Sequence, residues 1–284
     1  MTGIPWIIAA AALWGVAGGL AGILIEHGWE PLVVAFYQAA IGFLCLCAWL
    51  CLQPGEGLRS NRNQLFWAVL AGVGIAGNFA LYFLSIRHAN VAVAATLMYT
   101  APVYVYLVAF IAGLERNSLI TWLCLALVLV GVVLLTGVTG AGGLTAFGIA
   151  CGIGAGLAYA LFIFGFKYAS LQGRPHLVLV VAFLTVLACL FPFIDHAQAV
   201  AALRSADIGW FVLLGLFGVG LSFLLYIVGL RRTSPTVASI IAMVEPVTAS
   251  WFGIVVLGTT LGPAQALGMA IILVTVTYLS VRQR

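Results

Sequence analysis

Residues 81–102 read LYFLSIRHANVAVAATLMYTAP, and residues 225–246 read LYIVGLRRTSPTVASIIAMVEP. A shift of 144 residues lays Leu81, Tyr82, Arg87, Val93, Ala94 and Pro102 on Leu225, Tyr226, Arg231, Val237, Ala238 and Pro246. The same shift carries Ala126, Leu129, Val130, Val132 and Leu135 onto Ala270, Leu273, Val274, Val276 and Leu279. Shared Leu and Val mean little between apolar segments, because composition alone matches many of them. Tyr, Arg and Pro falling in one register mean more, and they divide the chain into two related halves, residues 1–140 and 141–284.

Both halves are built for lipid. Of the 284 residues, 64% are hydrophobic and only 6% charged, and the mean hydropathy is +1.23. Soluble domains run at about 45–50% apolar and about 25% charged, so the composition excludes a water-soluble enzyme, a nucleic-acid binder and a disordered chain. The net charge of +4 comes from eleven scattered Lys and Arg, too sparse for a polyanion-binding surface. Six cysteines (Cys45, Cys47, Cys51, Cys124, Cys151 and Cys189) lie in apolar runs without CxxC spacing or a nearby histidine, and read as small hydrophobes in a reduced environment. The first apolar run, Ile4 to Ile25, has no Lys or Arg before it and exceeds a signal-peptide core, so it is expected to stay as a membrane span.

A helix needs roughly 20 residues to cross about 30 Å of hydrocarbon. Cutting the chain at charged, Pro and Gly-rich interruptions gives ten spans, near residues 3–25, 32–52, 64–86, 91–113, 118–138, 146–168, 176–194, 207–229, 236–257 and 262–281. The expected fold is therefore an all-α integral membrane protein forming one membrane-embedded unit. Basic residues concentrate in cytoplasmic loops. With the N-terminus inside, that side collects Arg59, Arg62, Arg116, Lys167, Arg174, Arg231, Arg232, Arg282 and Arg284, against Arg87 and Arg204 outside. The acids Glu26, Glu30, Asp195 and Asp207 fall on the outer side. Both termini are expected in the cytoplasm, in a bacterial inner membrane.

Five spans per half is an odd number, so the second half enters the membrane from the opposite side and the two repeats are inverted. Inverted repeats recur in secondary transporters, whose substrate sits near the midplane between halves that rock about it. The residues also resemble a known family. Leu13, Trp14 and Gly15 in the first span, the repeated unit ending in Thr100, Ala101 and Pro102, and Val244, Glu245, Pro246 and Val247 in the ninth are similar to the drug/metabolite transporter superfamily. Within it the EamA-type ten-helix permeases match over the whole chain, most like the YddG-type exporters of aromatic and other amino acids. That resemblance implies export of small metabolites by alternating access without ATP.

Several polar and aromatic residues lie at membrane depth. Glu245 is about nine residues into the ninth span, roughly 14 Å deep, and is the only acid so placed. An acid at the helix centre costs about 2.5–3.5 kcal/mol on insertion scales, so it must face protein or water. It reads either as a proton carrier or partner for a substrate ammonium, or as a structural carboxyl bonding helix ends freed by Pro246. Pro102 and Pro246 remove donors to the carbonyls of Met98 and Ala242, so the fourth and ninth spans are expected to bend, centrally and toward a cavity, the alternative being ordinary kinks packed by neighbours. Asn78 and Tyr82 share a face of the third span, as do Ser222 and Tyr226 of the eighth. Interfacial anchoring competes with solute contact for the tyrosines, and an interhelical hydrogen bond competes with it for Asn78. Trp14, Tyr99 and Tyr159 suit either a cavity wall or packing. Gly15, Gly18, Gly19 and Gly22, with Gly148, Gly152 and Gly156, permit close helix approach in the first and sixth spans, for static packing or for a rocking interface.

Among what is missing, no acid, base or metal ligands converge at one depth, no Walker-type run appears, and there is no filter loop or ring of charge. No cofactor or metal is expected. Only Lys167 approaches the membrane interior as a cation, which disfavours an anionic cargo and favours a neutral, zwitterionic or cationic one. The reading is a transporter exporting amino acids or similar small metabolites, not an enzyme. An amino acid's ammonium would meet Glu245 or tyrosine hydroxyls, and its carboxylate Asn78 or Ser222. A multidrug or cationic-compound pump, an integral-membrane lipid-modifying enzyme and a non-transporting scaffold are the alternatives. The lipid bilayer and a small solute are the expected partners, with no nucleic acid. The oligomeric state stays open, a monomer included.

Overall fold

A computed structural model describes residues 3–52, 61–137 and 145–282. Arg59, Arg284 and the expected division at residues 140/141 lie outside the described residues. Among the described residues ten helices are long and apolar enough to cross a membrane. They are α1 (Ile4–Glu26), α2 (Pro31–Cys51), α3 (Arg62–His88), α4 (Val91–Ile111), α5 (Leu119–Thr136), α6 (Ala146–Leu171), α7 (Pro175–Phe193), α8 (Ile208–Arg231), α9 (Pro235–Leu257) and α10 (Pro263–Arg282). Each expected span meets one of these helices. Ten crossings bring the start of α1 and the end of α10 to the same side, here the terminal side; the opposite is the far side.

Local chemistry sets many of the helix ends. Glu30, Asn90, Ser118 and Thr145 each accept a hydrogen bond from a backbone N–H in the first turn of the following helix. Prolines open α2, α7, α9 and α10, where the missing N–H would have no intrahelical partner. Gly137 and Gly258 close α5 and α9 at φ of 64° and 67°, a left-handed conformation that favours glycine. Two helices are interrupted. In α4 a segment α4a (Val91–Met98) gives way to α4b (Ala101–Ile111), and in α9 a segment α9a (Pro235–Ile241) gives way to α9b (Val244–Leu257). Pro102 and Pro246 fall in the first turns of α4b and α9b, where they cannot donate back across the break.

The packing does not follow chain order. Helix α1 packs on α8 and α9, and α2 on α8; correspondingly, α6 packs on α3 and α4, and α7 on α3. These contacts form two bundles, one of α1, α2 and α8–α10 and the other of α3–α7, and contacts α2–α7, α5–α10 and α4–α9 tie them together. Adding five to each helix of the first half maps this set of contacts onto itself. Lipid supplies no hydrophobic drive between helices, so small residues decide where backbones meet. Gly15 lies against the backbone of Glu245 and the side chain of Thr248 on α9b, and Gly156 against the carbonyls of Leu97 and Met98 in α4. Gly19, Gly148 and Gly152 are similarly closed by Phe252, His88 and Leu97, whereas Gly18 and Gly22 have no neighbour within 4 Å of a built Cβ.

Candidate functional site

The breaks in α4 and α9 place their flanking residues together near mid-membrane. Tyr99 follows α4a, and its hydroxyl donates to Glu245 Oε1 at 3.3 Å. Glu245 stands in the first turn of α9b, where the unpaired N–H groups of a helix start favour negative charge. This is a physical reason for the acid to lie at the break. Glu245 is deep in the protein yet keeps some solvent-accessible surface. Tyr82 combines depth with accessibility in the same way. The hydroxyls of Tyr82, Tyr99 and Tyr159 all lie within electrostatic reach of the Glu245 carboxyl.

Beside this group lies an aromatic layer. The Trp14 ring is 4.9 Å from Tyr226 and 5.0 Å from Phe223, and Tyr159 is 4.5 Å from Phe162, which in turn is 6.3 Å from Tyr226. Trp14 is 8% exposed, Tyr159 3%, and Ser222, Tyr226 and Thr236 not at all. Yet Trp14 Nε1, Tyr159 Oη, Ser222 Oγ, Tyr226 Oη and Thr236 Oγ1 have no hydrogen-bond partner among the described residues. Each buried unsatisfied polar atom costs about 1–3 kcal/mol. Four of these five belong to residues that spacing and repeat equivalence single out in the sequence. An arrangement of uncharged donors beside one carboxyl can hold a small solute carrying both a cationic and an anionic end.

Not every candidate faces this group. Asn78 Nδ2 donates to the Ala155 carbonyl at 3.0 Å and so ties α3 to α6. Lys167 Nζ donates to the carbonyls of Leu230 and Thr233 at 2.8 and 2.7 Å, capping the end of α8. Its charge is thereby engaged at the terminal side, away from Glu245. Phe162 and Phe223 belong to the aromatic layer although the sequence reading passes over them. For Phe223 a signal existed, since Phe79 occupies the equivalent position in the first half.

The two ends of the site differ. On the terminal side α4b and α9a pack on each other, and residues 235–244 are all buried. No comparable packing joins α4a to α9b on the far side. There, hydrogen bonds join the α1–α2 loop to the start of α8 and to the α7–α8 connection: His27 Nδ1 and Trp29 Nε1 meet the two carboxyl oxygens of Asp207 at 2.9 and 2.8 Å, and the Glu30 N–H donates to Gln198 Oε1 at 2.8 Å.

Comparison with known proteins bears on this arrangement. A family model described as the EamA-like transporter family matches residues 1–137 and again residues 146–281. An uncharacterized transporter of Archaeoglobus fulgidus is 31% identical over 266 residues, covering 93% of each chain. The threonine/homoserine exporter RhtA of Escherichia coli K12 is 28% identical over 277 residues, 95% of this chain and 89% of that one. A protein solved by crystallography superposes with a TM-score of 0.76 over 99% of both chains at 19% identity, a likeness of fold.

Proposed function

The chain belongs to the EamA-like transporter family, and from that membership and the site geometry we propose that it exports neutral amino acids or similar zwitterionic metabolites. The observation that carries the proposal is Glu245, a single carboxyl beside Tyr99, Tyr82 and Tyr159, next to the uncharged donors of Trp14, Tyr226 and Ser222. A solute ammonium pairs with the carboxyl, and its carboxylate accepts from hydroxyl and indole donors. With Lys167 engaged by carbonyls, an anionic cargo has no cation to meet. Asn78, bonded to Ala155, leaves the carboxylate end to Ser222 and Tyr226.

The two matched stretches, 1–137 and 146–281, and the exchange symmetry of the helix contacts support two inverted five-helix repeats. The terminal side is the cytoplasmic one by its excess of Lys and Arg. Transport proceeds by alternating access: the packed α4b–α9a side and the more loosely packed α4a–α9b side exchange roles about Glu245 and Tyr99. That the relative RhtA is a threonine/homoserine exporter adds weight to an amino-acid cargo.

A panel of cells challenged with toxic amino acids and analogues tests the cargo. Expression of the chain raises tolerance to at least one neutral member, and tolerance confined to organic cations would move the assignment to a cationic-compound pump. That second reading draws on the same feature, one carboxyl among aromatic rings. Efflux by Glu245→Gln across an imposed pH gradient then tests coupling: loss of the pH dependence marks Glu245 as the proton carrier, and an unchanged dependence removes that role.

A further inference from the structure

Helix α8 is not a regular α-helix. Its middle, Leu216–Leu221, forms a π-helical segment, whereas the corresponding stretch of α3 is α-helical throughout. The sequence explains the difference. Before this segment the two helices match at a shift of 143: Trp67, Val69, Leu70 and Gly72 fall on Trp210, Val212, Leu213 and Gly215. After it they match at 144: Gly74, Phe79, Leu81 and Tyr82 fall on Gly218, Phe223, Leu225 and Tyr226. One residue, Val73, therefore corresponds to two, Leu216 and Phe217.

The contacts agree with both registers. Gly72 lies against Ala182 and Thr185 of α7, and Gly215 against Ile41 and Gly42 of α2, the equivalent helix. Gly74 lies against Ala158 and Phe162 of α6, and Gly218 against Ala17 of α1, the equivalent helix, as well as Gln38 of α2. An extra residue in a continuous α-helix would rotate everything beyond it by about 100°. The wide turn absorbs the insertion locally, so Ser222 and Tyr226 keep their inward register. π-Segments of this kind arise as single-residue insertions and loosen the hydrogen-bond ladder where they occur.

The position of the wide turn matters. Before it, Ile208–Gly215 packs on α1 and α2. Beyond it, Ser222–Arg231 also reaches across to α6 and α7, with the Phe223 ring edge-to-face with Phe183 at 4.9 Å. The segment thus separates the part of α8 held within one bundle from the part that bridges to the other. In α3 the equivalent point is braced by Asn78 bonding to Ala155, while its counterpart Ser222 is unbonded.

We propose that Leu216–Leu221 is the hinge of α8, the point at which the portion carrying Ser222, Phe223 and Tyr226 swings away from α6 and α7 when the terminal side opens. α3, braced and without the extra residue, moves as a rigid rod. A hinge needs a few positions that absorb dihedral change while the flanking elements stay packed, and a mid-helix π-turn between two packed segments meets that need.

Hydrogen exchange on the full chain in detergent tests this without reference to any solute, using α3 as the internal control. Amides of Val219–Phe223 exchange at least about tenfold faster than those of Ile75–Phe79, the equivalent positions. Equal rates overturn the hinge. Deleting Leu216, whose side chain is exposed, converts α8 to the pattern of α3. That variant equalises the two exchange rates and lowers the efflux rate of labelled L-threonine at least tenfold with little change in half-saturation. Unchanged efflux by a folded deletion variant also overturns the proposal. If that variant does not fold, the exchange comparison on the unaltered chain still decides.

Discussion

Replacing Tyr226 by Phe separates the demands of folding from those of solute binding, because the two push in opposite directions. The Tyr226 hydroxyl is wholly buried and has no hydrogen-bond partner, while its ring packs between Trp14 and Phe162. Phe keeps the ring contacts and removes only the oxygen. An unsatisfied buried hydroxyl carries a penalty of about 1–3 kcal/mol, so the variant keeps its stability or gains up to that amount. If the hydroxyl donates to a solute carboxylate, its loss removes a hydrogen bond to a charged group, about 1.5–3 kcal/mol. At 1.4 kcal/mol per decade, affinity falls by roughly 10- to 150-fold. Melting temperature in detergent, with and without solute, reads both quantities from one preparation. The predicted pattern is an equal or higher melting point without solute and a solute-induced shift that needs at least about tenfold more solute. A lower melting point with undiminished solute response would refute the reasoning, since the hydroxyl would then be serving the fold.

Three further outcomes follow from the geometry. Asn78→Ala behaves in the opposite sense: loss of the bond to the Ala155 carbonyl costs about 0.6–1.7 kcal/mol of stability and leaves half-saturation of transport unchanged, read by thermal melting and efflux kinetics. Gly15→Ala pushes a Cβ to 2.5 Å from the Glu245 carbonyl oxygen and 2.6 Å from Thr248 Cβ, an overpacking worth about 1–3 kcal/mol; its melting point drops, while that of Gly18→Ala, with open space around it, does not. On the far side, the Trp29 and His27 hydrogen bonds hold the Asp207 carboxyl below its usual range. A carboxyl whose folded pKa lies below its unfolded one adds stability above the unfolded value of about 3.9 and loses it as pH falls through the folded value. Asp207→Ala is therefore less stable than the parent at pH 7, and the gap between them closes as pH falls below about 4, measured by melting against pH.

The ten helices were legible because lipid forces each crossing to be a continuous apolar run, and only helix breaks, caps and charges interrupt it. Partner choice was not legible in the same way. Gly15 and Gly156 announce close approach without naming the helix approached, and the structure gives them α9 and α4 respectively. The repeat drew attention to Asn78 and Ser222 as equivalents, yet one is spent on a carbonyl of α6 and the other is unbonded. That difference depends on a backbone oxygen 77 residues away, which no local pattern encodes. A single fixed shift of 144 also hides the insertion in α8, because the matches at Trp67 and Trp210 sit one residue out of that register. Glu245 was conspicuous as a deep acid, but its place in the first turn of a broken helix emerged only with the break itself.

Counterflow in proteoliposomes tests the central claim most directly. Vesicles containing the purified chain and loaded with unlabelled L-threonine or L-phenylalanine are diluted into the labelled amino acid, with empty vesicles alongside. The account predicts saturable accumulation of label, abolished or strongly reduced in Glu245→Gln and Trp14→Ala. No accumulation of any neutral amino acid, with the same vesicles exchanging an organic cation or the chain turning over a lipid, would contradict it.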